Sequence, residues 1–222
     1  VLSAAEIRIF WHGLDRADLP WSRKTRLALK FALVSILRSS ELLGARRGEL
    51  FDLDGVNARF DVPLRRVKKR RLIAQPLSDL AVEIIKEALK SDGQEYIFAG
   101  RFDDAPMERK AMATALRGTY NKDGTVRTRG LCALLGLKPF TPHDLRRTAA
   151  TLAGDLGFSD AWIARCLDHA ASKDEHGVRV PSVTGKVYNH SKRLQQKRAV
   201  LDGVAAELRR IVGEPVNMQA AA

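Results

Sequence analysis

The stretch from Leu27 to Leu37 constrains this chain more than any other. Leu27, Leu29, Phe31, Leu33, Val34 and Leu37 make one helix largely apolar, and a helix hydrophobic around most of its circumference belongs inside a core rather than on it. Pro20 precedes this helix and Ser22 stands where a side chain can cap its first turn. The chain is expected to turn at or near Arg38. With 222 residues, 45% of them hydrophobic, it is long enough to surround such a helix with one sizeable core. One main domain is expected.

The rest of the pattern supplies the surroundings. Ser3-Ala-Ala-Glu6 is a capping-box sequence, and Ile7, Phe10 and Trp11 share a face behind it, predicting a helix from about Ala4 to Leu14. From Val56 to Leu77 the helical period gives way to Val, Phe and Ile broken by charge. With Pro63 and a basic run at 65–71, that reads as a hairpin or three-stranded sheet. Ser78-Asp79 opens an amphipathic helix carrying Ala81, Ile84, Ile85, Ala88 and Leu89, and Asp92-Gly93 stops it. Further helices are predicted at about 108–120, 128–135, 143–157, 159–167 and 192–212, with a loop over 170–182. The fold class is α+β, mainly helical with a small antiparallel β-sheet.

Charge narrows the partner. Thirty-eight Lys and Arg residues against 26 acidic ones leave a net charge of +12, which favours a polyanion, nucleic acid first. Cys132 and Cys166, the two cysteines, have neither a disulfide framework nor a zinc-binding spacing. Structural burial in a reducing compartment is the expected role of both. No apolar run approaches the roughly 18 residues of a membrane span and no signal-peptide pattern opens the chain.

The chemistry-bearing residues are unremarkable singly but distinctive in order. The apolar helix leads into Arg38-Ser-Ser-Glu41. The basic run contains Val67-Lys68-Lys69-Arg70-Arg71 and leads to Gln75-Pro76-Leu77-Ser78. Then come Thr141-Pro-His143-Asp-Leu-Arg146-Arg147-Thr148, Leu167-Asp168-His169 and Val187-Tyr188-Asn189. In this order, over about 28–190, the chain resembles the catalytic domain of tyrosine recombinases, the phage integrase family, in its genomic-island prophage form. The matching elements are an Arg-x-x-Glu after an apolar helix, a lysine turn before Pro-Leu-Ser, a His-x-x-Arg box, a Leu-Gly-His and a nucleophilic tyrosine.

The resemblance implies a site-specific recombinase that cuts and rejoins double-stranded DNA attachment sites through a 3′-phosphotyrosyl link, without metal or other cofactor. Arg38 and Arg146 would clamp the non-bridging phosphate oxygens as paired guanidinium forks. Tyr188 would attack the phosphorus and Lys68 would protonate the leaving 5′ oxygen. His143 and His169 would position the phosphate and assist proton movement, and Glu41 would orient Arg38. Lys69, Arg70, Arg71 and Arg147 are candidate DNA contacts. Implied too are a homotetramer on DNA, with a monomer as the alternative off it, no membrane, and a bacterial cytoplasmic location at the nucleoid. Residues 1–212 would form the catalytic domain, without the N-terminal core-binding domain, and 213–222 a flexible tail.

The sequence also departs from the family pattern. Ser35-Ile36-Leu37 stands before Arg38 where a Thr-Gly pair is usual, and Asp168 replaces a Gly, adding a carboxylate that Arg165 or Lys173 would have to pair. Arg46-Arg-Gly-Glu49 offers a second Arg-x-x-Glu register, and Lys69 a second lysine. Arg38 is preferred because the apolar helix runs directly into it, and Lys68 for its spacing from Pro76. The segment between His169 and Tyr188 is longer than the compact form of many family members. The C-terminal helix has two open placements, against a neighbouring subunit or on its own domain. Alternative readings of function are a non-catalytic DNA-binding remnant and a type IB topoisomerase-like activity.

Overall fold

The structure, a computed structural model, describes residues 1–67, 72–89, 93–100, 105–168 and 194–213. At its centre lies α2 (Arg23–Ser35), whose first turn is capped by Ser22 Oγ accepting from Thr25 N at 3.2 Å. Residues Thr25 to Ser35 are all buried. Helices α4 (Asp79–Ala88), α5 (Ala111–Arg117), α7 (Pro142–Asp155) and α9 (Leu194–Val212) pack around it, as an all-round apolar helix requires. Two buried cations on α2 are met at the corner it makes with the segment that follows α1 (Ala4–Gly13). Lys30 Nζ reaches both Asp15 oxygens at 2.9 and 2.7 Å and lies 4.5 Å from the centroid of Trp11. Arg26 donates to the carbonyls of Leu14 and Arg16. Buried charge is tolerated here because Lys30 and Arg26 both meet oxygen.

Helix α1 carries the predicted capping box, with Glu6 Oε2 accepting from Ser3 N at 2.8 Å. Helix α2 ends earlier than expected, at Ile36, which adopts a left-handed conformation with φ 58° and ψ 15°. Arg38 instead begins a short helix, α3 (Ser39–Leu42). The predicted small sheet is present, with antiparallel order β1 (Leu50–Phe51), β2 (Arg59–Val62) and β3 (Ile73–Pro76). It registers Phe60 against Leu50 and Gln75. β2 alternates half-buried and buried residues, as a one-sided strand should. β3 is buried throughout because α9 covers it.

Two predicted helices are corrected. The helix expected at 108–120 is only α5, and the one at 128–135 only α6 (Leu131–Leu134). Between them a hairpin forms, β4 (Gly118–Tyr120) paired with β5 (Val126–Arg129). Thr119, Tyr120, Val126 and Thr128 are strand-forming residues, and they flank a turn closed by Asn121 N donating to Thr125 O at 2.8 Å. Gly118 allows the hairpin to begin. Its φ is +91°, and a Cβ there would lie 2.5 Å from the Thr128 carbonyl oxygen.

Helices α7 and α8 (Asp160–Cys166) follow the prediction. Helix α9 docks on its own domain, against α1, α7, α8 and β3. Its last turn is capped from α1, where Arg8 Nε donates to Ile211 O at 2.7 Å and a His12 ring nitrogen lies 2.8 Å from Val212 O. Side-chain donors at a helix C-terminus satisfy its exposed carbonyls. Among the described residues no helix is long and apolar enough to cross a membrane.

Candidate active site

The site begins with a buried carboxylate. Glu41 is 0% exposed, and its oxygens accept from Arg38 N at 2.8 Å and Arg38 Nη1 at 2.6 Å. Its Oε2 also lies 3.6 Å from Arg146 Nη1. An ionised carboxylate out of water needs such company. Glu41 therefore holds Arg38 in place and stands beside Arg146 as well. Arg38 keeps about a quarter of its side chain exposed, while Arg146 is nearly sealed at 3%.

Arg146 comes from the first turns of α7, which are set by Thr141 and Asp144. Asp144 Oδ2 accepts from Thr141 N at 2.9 Å and from Thr141 Oγ1 at 2.8 Å. The cap is made by Thr141 and Asp144, which leaves His143 exposed on the first turn. It lies three residues before Arg146, hence on the same helix face. Arg147 is exposed, with its guanidinium 3.5 Å from Asp144.

Two helix ends meet at the Arg146 guanidinium. Its Nη1 donates to Ile36 O at 2.7 Å and its Nη2 to Leu167 O. Ile36 closes α2 and Leu167 closes α8, so the cation sits where both helices present carbonyl oxygens and partial negative charge. These bonds use two of a guanidinium's five N–H groups. Burial, and next the charge of Arg38, pull the Arg146 pKa down to about 10, while Glu41 and Asp168 oppose the shift. Arg146 is thus a full cation at neutral pH. The Asp168 carboxylate lies in the field of Arg146. Arg165 Nη1 reaches Gln196 Oε1 at 2.8 Å.

A second tie joins the same helix ends. Gln75, fully buried on β3, donates through Nε2 to Ser35 O at 2.8 Å and to Cys166 O at 3.5 Å. Each is the carbonyl immediately preceding one that Arg146 takes. Lys197 on α9 fixes the amide by donating from Nζ to Gln75 Oε1 at 3.0 Å and to Ala74 O at 2.7 Å. Sequence reading missed this role of Gln75. The residue belongs to Gln75-Pro76-Leu77-Ser78, and an amide on an otherwise apolar strand is the signal that marks it.

The alternative arginine goes elsewhere. Arg46 pairs with Glu95 at 2.7 Å and reaches the Tyr96 hydroxyl at 3.1 Å. Its motif partner Glu49 accepts from Arg66 and stands 3.6 Å from Arg65. The predicted Lys68, Lys69, Arg70, Arg71, His169 and Tyr188 lie outside the described residues, as do Lys173 and the loop expected at 170–182. What the structure brings together is Arg38, Glu41 and Arg146, with His143 on the adjoining turn.

Two guanidinium groups organised around one buried carboxylate suit the binding of a tetrahedral oxyanion. The family model described as the phage integrase family matches residues 2–179, and the chain belongs to that family. Among characterised relatives it is similar to the prophage integrase IntZ of Escherichia coli (strain K12), with 29% identity over 204 residues, covering 90% of this chain and 43% of that protein. The chain therefore spans less than half the length of this relative. The fold is that of solved recombinases. A lambda integrase dimer bound to a COC' core site aligns with a TM-score of 0.55 and 19% identity, over 77% of this chain and 57% of that one. The XerH site-specific recombinase bound to difH substrate aligns with a TM-score of 0.55 and 17% identity, over 89% and 52%. An integrase from mycobacterium phage Brujita aligns with a TM-score of 0.57 and 14% identity, over 96% and 60%. These likenesses define an α+β, mainly helical tyrosine-recombinase catalytic fold.

Proposed function

We propose that the chain is the strand-cutting and rejoining domain of a site-specific DNA recombinase that integrates or excises a mobile element. The observation that carries this reading is the convergence of Arg38 and Arg146 on Glu41 in a chain of the phage integrase family. The two guanidiniums bind the non-bridging oxygens of the scissile phosphate and stabilise the charge that builds on them in the transition state. Tyr188 Oη attacks the phosphorus while the bond to the 5′ oxygen breaks, leaving a 3′-phosphotyrosyl link and a free 5′ hydroxyl. Lys68 supplies the proton to that oxygen, and His143 and His169 position the phosphate. A 5′ hydroxyl from a second strand reverses the step without an external energy source, and the chemistry needs no metal.

On this reading residues 1–212 are the catalytic domain and 213–222 a tail beyond it. The partner is duplex DNA, engaged as a homotetramer in the bacterial cytoplasm. Arg147 and the cations at 69–71 contribute backbone contacts, so binding weakens steeply between about 50 and 200 mM salt.

The test is to incubate the protein with a nicked duplex from the element's ends, quench with denaturant and look for a covalent protein–DNA band. Such a band, absent in Tyr188→Phe while DNA binding persists, supports the recombinase reading. DNA binding without a band points to a non-catalytic remnant, and relaxation of supercoiled plasmid without site preference points to a topoisomerase-like activity.

A further inference from the structure

Three described non-glycine residues have a positive φ: Ile36 at 58°, Asp52 at 53° and Asp168 at 49°. Asp52 has a local explanation, since its side chain closes the turn between β1 and β2 by accepting from Asn57 N at 2.9 Å. The other two flank Arg146. Ile36 owns the carbonyl that Nη1 takes, and Asp168 directly follows Leu167, whose carbonyl Nη2 takes. A β-branched residue in the left-handed region is a real outlier, and such conformations persist only where the surroundings hold them. Here the surroundings are explicit. Gln75 bonds the Ser35 and Cys166 carbonyls, and Arg146 the next carbonyl of each helix. Ile36 is 0% exposed and Asp168 8%, so neither turn is solvated freely.

We infer that Ile36 and Asp168 are positioning residues, whose left-handed turns aim the Ile36 and Leu167 carbonyls at Arg146 and thereby set the guanidinium for the phosphate. The inference rests on the recombinase reading given above. Without these turns the last carbonyls of α2 and α8 swing away, and Arg146 loses the two acceptors that fix its plane. The Asp168 carboxylate adds a second effect, helping to keep the buried Arg146 charged. The turn and the charge are separable by choice of substitution.

The test compares variants in pairs. Asp168→Ala and Asp168→Asn both remove the charge, but only Asn tolerates the left-handed region. Ile36→Ala and Ile36→Gly both remove the buried side chain, but only Gly adopts that region freely. Three readouts are taken on each: the single-turnover rate of covalent adduct formation on the nicked duplex, non-covalent DNA affinity, and the Nε–H resonance of Arg146 by NMR. The expected result is that each Ala variant forms adduct about tenfold more slowly than its partner. DNA affinity should match within each pair, and the Arg146 resonance should be broadened in the Ala member alone. If partners cleave equally per folded molecule and share one Arg146 resonance, the turns are merely structural and the inference is overturned. If wild type forms no adduct, the recombinase reading fails, and the NMR comparison still decides whether the turns position Arg146.

Discussion

Two Arg-x-x-Glu turns lie within a dozen residues of each other and close in the same way, yet their carboxylates meet different cations. In Arg38-Ser-Ser-Glu41 and in Arg46-Arg-Gly-Glu49 the glutamate accepts from the backbone N–H of its arginine, at 2.8 and 3.0 Å. Locally they are the same device. They differ in what the carboxylate meets afterwards. Glu41 is fully buried and is shared between Arg38 and Arg146, which arrives from a helix more than a hundred positions along the chain. Glu49 retains 13% side-chain exposure and gathers Arg66 and Arg65 from the connection between β2 and β3, while Arg46 turns outward to Glu95. The two turns diverge because Arg146, delivered by a distant helix, reaches Glu41.

The largest expected contrast is in cleavage. Arg38→Gln should lower the rate of covalent adduct formation by about 10³-fold, the scale of removing one preorganised donor from a transition-state site. Arg46→Gln should change it less than about threefold. Equal losses in the two variants would reverse the assignment of Arg38.

Stability should separate the two glutamates by less. Glu41→Gln leaves two cations around a neutral amide in a sealed site, and should destabilise the domain by about 3 kcal/mol or more in denaturant unfolding. Glu49→Gln, nearer solvent, should lose only about 1 kcal/mol. Matching unfolding midpoints would mean that burial does not distinguish the turns.

Cys166 reports on the Arg146 end of the site. Burial pushes its thiol up to about 12. At pH 8 the native protein should therefore react with iodoacetamide far more slowly than the unfolded chain, because the thiolate is the nucleophile. Loosening the α8 terminus by Glu41→Gln should raise that native-state rate about tenfold, since local opening restores an ordinary thiol. Glu49→Gln should leave it unchanged, and peptide mapping of the modified cysteine checks both.

The smallest effect belongs to the outward ion pair. Arg46 and Glu95 have 43% and 53% of their side chains exposed, so Glu95→Gln should shift stability by no more than about 1 kcal/mol, an effect diminishing with salt. A larger shift would show that the outer turn is coupled to the core after all.

Much of the architecture was legible because its signals are local. Ser3 with Glu6, Ser22 and Ser78 announce helix starts through side chains within three residues of the N–H groups they cap. The apolar circumference of α2 declares its burial. The β4 strand and the end of β5 fall inside the helices predicted at 108–120 and 128–135 because the short strand-forming runs are separated only by a five-residue turn, and neither run is long enough to establish a period. The end of α2 was misplaced for a different reason. Nothing in an isolated Ser-Ile-Leu calls for a left-handed isoleucine, and the conformation persists because Gln75 and Arg146 hold the carbonyls around it.

By itself the sequence determined the core helix, the small sheet, the capped helix starts, the excess of positive charge and the order of the residues that mark the phage integrase family. Only the tertiary structure decided which Arg-x-x-Glu faces Arg146, that Gln75 ties two helix ends together, and that the C-terminal helix folds back on its own domain. The physical reason is range. Caps and periodicity act within a turn or two of helix, whereas a buried carboxylate or guanidinium is satisfied by whatever oxygen or cation the packing of distant elements brings to it, and Arg146 finds its acceptor 110 positions away, at Ile36.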